Sequence, residues 1–263
     1  MKITERPLTV FDVETTGLDT STARVVQFGH ADFRKGVLLR LNDVLINPCM
    51  PIPEAASDVH HIYDSDVADA HTFGILSADI TRALAGAYEH RAPTLCAYNG
   101  TKYDVPLLNA EFERHNVATR IDASRVLDPL VFLRFHRRHW PSRRLEAVAE
   151  RLGCPSADAL HRASVDAETT GRVLYQLIEN GLIPDDDEEA WHVQAQMRTV
   201  LEHEESLYGH YLYIDRQNNH TLRMGFGKHI GLPIDRVPTS YLRWVLGLKD
   251  LPPFVTSEIR VYA

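Results

Sequence analysis

LTVFDVETTGL, residues 8–18, joins a β-forming run to a pair of acids and a turn. In an extended strand alternate residues share a face, so Asp12 and Glu14 point one way while Val13 points the other. Acids are poor strand formers, and Thr15-Thr16-Gly17 closes the run directly behind them, which places the pair at a strand end. Two carboxylates held on one face repel each other unless a cation lies between them. The plainer alternative is an edge strand with solvated acids.

Outward from this strand, Val25–Phe33 and Val37–Ile46 are rich in β-branched and apolar residues at short spacing, predicting an antiparallel meander with the first run. A helical pattern then passes through Ile75, Ile80, Leu84 and Tyr88, followed by a short strand at Thr94–Tyr98 and a helix carrying Val105, Leu108 and Phe112. Another strand is expected at Val126–Val131, with helices at Arg144–Leu152 and Val165–Ile178 that Gly153 and Gly181 terminate. Strands first, then strands alternating with helices, describe an α/β domain over residues 1–183: a mixed sheet with helices packed on it. Residues 184–190 concentrate five acids behind Pro184 and are read as an acidic linker. Residues 191–263 form a small C-terminal α+β module.

The bulk figures bound these readings. A chain of 263 residues, 44% hydrophobic and 24% charged, has material for a real core and a smaller appendage. No stretch reaches the ~20 apolar residues of a membrane span, and the start lacks an apolar leader, so a cytoplasmic protein with no membrane partner is expected. Cys49, Cys96 and Cys154 are odd in number and far apart, which argues against a disulfide framework or a thiolate zinc site. A net charge of −8 does not advertise nucleic-acid binding. Clustered carboxylates that hold divalent ions contribute to that sum, so it excludes no polyanionic substrate.

Two further segments bear chemistry. Asp104 in YNGTKYDVPLL follows a strand and a glycine-containing turn and opens a helix, where an acid also serves as an N-terminal cap. In HRASVDAE, His161 precedes a helix whose first face carries Asp166, and a histidine beside a metal-bound water can act as a general base. Each feature taken alone has an ordinary structural explanation.

Together, FDVETTGL, YNGTKYD and the H-x-A-x-x-D pattern of HRASVD resemble the DEDDh 3′–5′ exonuclease family, which includes polymerase proofreading subunits, ribonuclease T and oligoribonuclease. The resemblance extends over about residues 7–180. It departs from the usual pattern in the extra residue between Asn99 and Asp104, and in VHHI, where His61 stands for the glycine of V-H-G-I. It implies a ribonuclease H-like five-stranded sheet flanked by helices. It also implies two divalent ions, Mg²⁺ or Mn²⁺, held by Asp12, Glu14, Asp104 and Asp166. Asp12 would bridge the two ions, Asp104 would reach the second through water, and His161 would take the proton of the attacking water. Thr15 and Thr16 would contact the terminal nucleotide, Leu18 would wedge against its base, and His60 is a weaker candidate for substrate contact.

A basic stretch with Arg134, Arg137, Arg138, Arg143 and Arg144 surrounds Trp140. Arginines track phosphates and an aromatic ring among them stacks bases, which makes Arg137 and Arg138 candidates for substrate binding, against a solvated helix face. In the C-terminal part, 8 Lys+Arg face 7 Asp+Glu. Gly225, Gly227 and Gly231 predict a hairpin or tight loops, and PTSYLRWVL predicts a capped helix. GFGKHIGLPIDRVPTSYLRWVL resembles a small module that recurs in bacterial and phage proteins, sometimes behind exonuclease domains. There Lys228, His229 and Arg243 are candidates to touch nucleic acid, with packing or oligomerisation as the alternative. The four histidines His203, His210, His220 and His229 lack zinc spacing.

The expectation is therefore a two-metal-ion 3′–5′ exonuclease working on the 3′ ends of single-stranded or frayed DNA or RNA, DNA slightly favoured, and releasing nucleoside 5′-monophosphates. A proofreading or repair role, a polymerase partner and a homo-oligomer are open. Alternatives are a non-catalytic module that binds nucleic-acid ends or a polymerase, and a phosphodiesterase for very short oligonucleotides.

Overall fold

The computed structural model describes residues 2–86, 92–154 and 161–263. The strand that opens the sequence, β1 (Pro7–Thr15), lies between two differently directed neighbours. β2 (Val25–Arg34) pairs with it antiparallel, and β3 (Val37–Leu45) pairs antiparallel with β2. β4 (Thr94–Cys96) and β5 (Val126–Leu127) extend the other edge in parallel, giving the order β3-β2-β1-β4-β5. Parallel neighbours require crossovers. Helices α1 (Glu54–His60), α2 (Asp64–Val67) and α3 (Phe73–Ala85) supply the first and α4 (Asp104–Arg114) the second. The expected mixed five-stranded sheet with flanking helices is the observed one.

Strand alternation sorts the two faces. Phe11 and Phe28 turn to one side and pack with Phe73 and Ile80 of α3 and Leu108 and Phe112 of α4. The opposite side of β1 and β2 carries α7 (Ala163–Glu179). Covered on both faces, β2 buries every residue except its last. The remaining helices are α5 (Pro129–His136), α6 (Leu145–Arg151) and α8 (Asp187–Tyr208). No described helix is long and apolar enough to cross a membrane.

Several local expectations are corrected. The strand expected at Val126–Val131 ends at Leu127, because Asp128 accepts the Leu130 N–H at 3.1 Å and starts a helix. Pro129 occupies its first position, where a missing N–H costs nothing. Tyr88, at the end of the pattern that became α3, lies outside the described residues. The acidic stretch 184–190 begins α8. The Asp185 carboxylate takes the Thr4 N–H at 2.9 Å and its hydroxyl at 2.7 Å, Asp187 pairs with Arg6, and Asp186 accepts the Glu189 N–H at 3.2 Å. Acids there complement the positive end of the helix.

By compactness the chain divides into Met1–Val131 with Ser142–Gln194, and Phe132–Pro141 with Ala195–Ala263. The acidic stretch 184–190, expected as a linker, falls within the first unit. The second unit contains the hairpin β6 (Leu212–Asp215) and β7 (Thr221–Met224), with α9 (Thr239–Leu246) and α10 (Pro253–Arg260). Leu212, Met224, Leu242, Val245, Val255 and Ile259 form its core. The glycine-rich segment makes the expected tight loop, closed by Gly231 N–H to Met224 O and Met224 N–H to Leu232 O, both at 2.9 Å. The hairpin itself lies just before it. Helix α9 starts behind Pro238 with no side-chain cap.

Candidate active site

Register across three strands builds the site. Asp12 lies opposite Gly29, Gly29 opposite Asp43, and Glu14 opposite Gln27, so all five positions share the face that receives α7. A β-carbon on Gly29 would lie 2.2 Å from the Ala163 carbonyl carbon and the Ser164 nitrogen; its absence lets the first turn of α7 touch the sheet. Gln27 accepts the Ala163 N–H at 3.0 Å, and Asp43 accepts the Ser164 hydroxyl at 2.5 Å. One of the orphan N–H groups at the helix start is thereby tied to the sheet, and the serine side chain beside it makes a second anchor. Asp166, one turn into α7, is delivered to the two strand acids.

Asp12, Glu14 and Asp166 each offer an oxygen within 4.8 Å of the others. Among the described residues this is the one group of three or more His, Cys, Asp or Glu so arranged. Burial pushes Asp12 well above the ordinary carboxylate range, reinforced by Asp104, Asp166 and Glu14. Glu14 is pushed up to about 8 by burial and then by Asp166 and Asp104. Asp166 reaches about 6, raised by burial and opposed by the His161 N–H, and its Oδ1 is buried without a partner. Converging acids with an unsatisfied buried oxygen are costly by themselves and suit a cation that would discharge them. An all-oxygen donor set fits a hard divalent ion better than zinc.

Asp104 begins α4 and is buried, with Oδ1 accepting the Val13 N–H at 3.0 Å. That bond fixes the carboxylate against the backbone between Asp12 and Glu14. Burial raises it to about 7, against the lowering effect of the Val13 N–H. The loop ahead of it hangs on Asp128, the residue directly after β5. Asp128 accepts the Asn99 N–H at 2.9 Å and the Thr101 hydroxyl at 2.8 Å. His161 stands before α7 with φ of 73°, a left-handed backbone that turns its N–H toward Asp166 Oδ2 at 3.3 Å and leaves the side chain exposed.

The turn after β1 is held tightly. Thr15 donates its hydroxyl to Gly17 O at 2.7 Å, and buried Thr16 accepts the Arg24 N–H at 3.0 Å. Arg24 in turn rests on fully buried Glu111 at 2.6 Å, a support the sequence reading missed because a helical glutamate carries no such signal. Leu18 at the turn's edge is 79% exposed, an apolar side chain presented to solvent. His60 is buried. Its Nδ1 accepts the Ile62 N–H at 3.1 Å, so Nε2 carries the proton and donates to Thr15 O at 3.3 Å. Burial holds its pKa down, keeping it neutral, and both ring nitrogens brace the turn. His61 ends α1 with φ of 57°, which explains why glycine is the usual residue there.

Arg137 and Arg138 belong to the second unit. Arg137 donates to His136 O at 3.1 Å. Arg138 pairs at 3.0 Å with Glu204, a buried acid that also holds Arg216.

The exonuclease family model of the ribonuclease T type matches residues 9–174. DNA polymerase III PolC-type from Streptococcus thermophilus (strain ATCC BAA-491 / LMD-9) is 30% identical over 180 residues, which cover 68% of this chain and 12% of that protein. The chain thus spans about an eighth of the curated relative's length. Exonuclease X, solved with 5′-overhanging duplex DNA, superposes with a TM-score of 0.51 at 20% identity, over 71% of this chain and 99% of its own. Exonuclease I superposes with a TM-score of 0.56 at 16% identity, over 77% of this chain and 44% of its own. At such identities the structural likeness is one of fold.

Proposed function

This chain belongs to the 3′–5′ exonuclease family, and from that premise we propose that it hydrolyses the terminal phosphodiester of single-stranded or frayed 3′ ends, releasing nucleoside 5′-monophosphates. The carrying observation is the carboxylate cluster of Asp12, Glu14 and Asp166 within 4.8 Å, with an unsatisfied buried oxygen on Asp166. Two Mg²⁺ or Mn²⁺ ions bound there would supply an activated water on one side of the phosphorus and stabilisation of the leaving 3′ oxygen on the other. Asp12, Glu14 and Asp166 would hold the first ion, and Asp104, fixed by the Val13 N–H, would serve the second. His161, exposed on a left-handed backbone beside Asp166, accepts the proton of the attacking water at its imidazole. The braced Thr15–Thr16 turn receives the terminal nucleotide, and Leu18 packs against its base.

DNA is favoured because curated relatives that match this region include DNA polymerases of the PolC type. A proofreading association with a polymerase belongs to the same reading. The test is hydrolysis of matched 5′-labelled single-stranded DNA and RNA, with a series of lengths down to dinucleotides, by wild-type and Asp12→Asn protein in Mg²⁺, Mn²⁺ or EDTA. A ladder shortening from the 3′ end, lost with EDTA and in the variant, is expected. Turnover confined to dinucleotides would replace this reading with a short-oligonucleotide phosphodiesterase. Undiminished hydrolysis by folded Asp12→Asn protein would overturn the site.

A further inference from the structure

The second unit carries a groove of about 480 Å³ lined by Lys228, His229, Pro238, Ser240, Tyr241 and Trp244. Helix α9 builds its wall. Leu242 and Val245 enter the core, whereas Tyr241 and Trp244, three residues apart, share another face. Trp244 is 53% exposed, a large ring left in solvent, and its contacts are aromatic: Tyr241 at 5.1 Å and Phe226 at 6.4 Å between centroids. The glycine-rich loop closes in from the other side. A β-carbon on Gly227, which has φ of 69°, would lie 2.2 Å from the Tyr241 hydroxyl, so glycine brings the loop backbone onto that ring. This sets His229 edge-on at 4.5 Å and Lys228 Nζ 5.4 Å from the ring centroid. None of the six lining residues is acidic.

An exposed tryptophan with a half-buried tyrosine beside a cation, and no carboxylate among the lining residues to repel a phosphate, match the chemistry by which single strands are held. Every base offers a π-face, and the backbone seeks a positive group. We infer that this groove binds single-stranded nucleic acid, with Trp244 and Tyr241 stacking bases and Lys228 pairing with a backbone phosphate. The choice of occupant rests on the nuclease reading above; the groove's geometry does not.

The test uses the full chain with Asp12→Asn in EDTA, titrated with a short oligothymidylate and read by tryptophan fluorescence and anisotropy. Quenching is expected. Adding Trp244→Ala should weaken binding about five- to 150-fold, the equivalent of ~1–3 kcal/mol per stacked base, while Trp244→Phe keeps most of the affinity. Lys228→Gln should flatten the slope of log K against log salt by about 0.7, as for one single-strand phosphate contact. Unchanged affinity in both Trp244→Ala and Lys228→Gln, with circular dichroism identical to the parent, would overturn the inference. So would quenching by an oligoproline peptide with none by the oligonucleotide. Because binding is read without hydrolysis, an inactive wild-type enzyme would count against the proposed reaction and leave this test standing.

Discussion

His161 combines a strained backbone with an exposed imidazole. Left-handed φ costs an ordinary residue roughly 1–2 kcal/mol, and here it is compensated by the N–H reaching Asp166. Asparagine tolerates that conformation but has no titratable ring. His161→Asn is therefore expected to keep the fold and oligonucleotide affinity while lowering the single-turnover rate roughly 10²–10⁴-fold. An unchanged rate would remove His161 from the chemistry. His60 shows the opposite allocation. The VHHI motif makes it a weaker candidate for substrate contact, and burial with two hydrogen bonds holds it against the Thr15 turn. The two histidines look alike in the chain and differ by which one tertiary packing left outside.

The start of α7 carries the site's precision, because Asp166 meets Asp12 and Glu14 only while Ala163 and Ser164 lie flat against Gly29. Gly29→Ala should push that turn off the sheet, costing about 1–3 kcal/mol in denaturant unfolding and weakening Mn²⁺ binding. Gly17→Ala is the comparison: a β-carbon there meets nothing within 4 Å, and it should leave both quantities nearly unchanged. Equal effects from the two substitutions would discount the close approach. At this scale much was readable. β1 to β3, α3, α4 and α7 follow from hydrophobic periodicity, and Asp12 and Glu14 share a face simply because side chains alternate. The start of α8 was not readable, since an acidic run serves equally as a linker or as a helix N-terminus until Thr4 and Arg6 are seen to engage it.

Across the whole molecule, the site stores electrostatic cost that a cation would relieve. Without metal, Asp166, Asp104 and Glu14 stand at about 6, 7 and 8, above the ordinary carboxylate values they have in the unfolded chain. Between those values the fold binds more protons than the unfolded chain, so stability is highest at low pH within this window and falls as pH rises through it. The melting temperature in EDTA is expected to be lower near pH 8 than near pH 5.5. Mn²⁺ should raise it more at the higher pH, where fewer protons have to be displaced. Equal melting temperatures with and without Mn²⁺ near pH 8 would contradict a cation site. By itself, the sequence determined the sheet, the order of its elements and which acids could converge, because strand and helix periods are local and the motifs are short. Tertiary structure alone decided that Gln27, Gly29 and Asp43 seat α7, that Glu111 supports the Thr16 turn through Arg24, and that Arg138 is held by Glu204. Those contacts join residues far apart in the chain, and their partners are set by register and packing rather than by any local pattern.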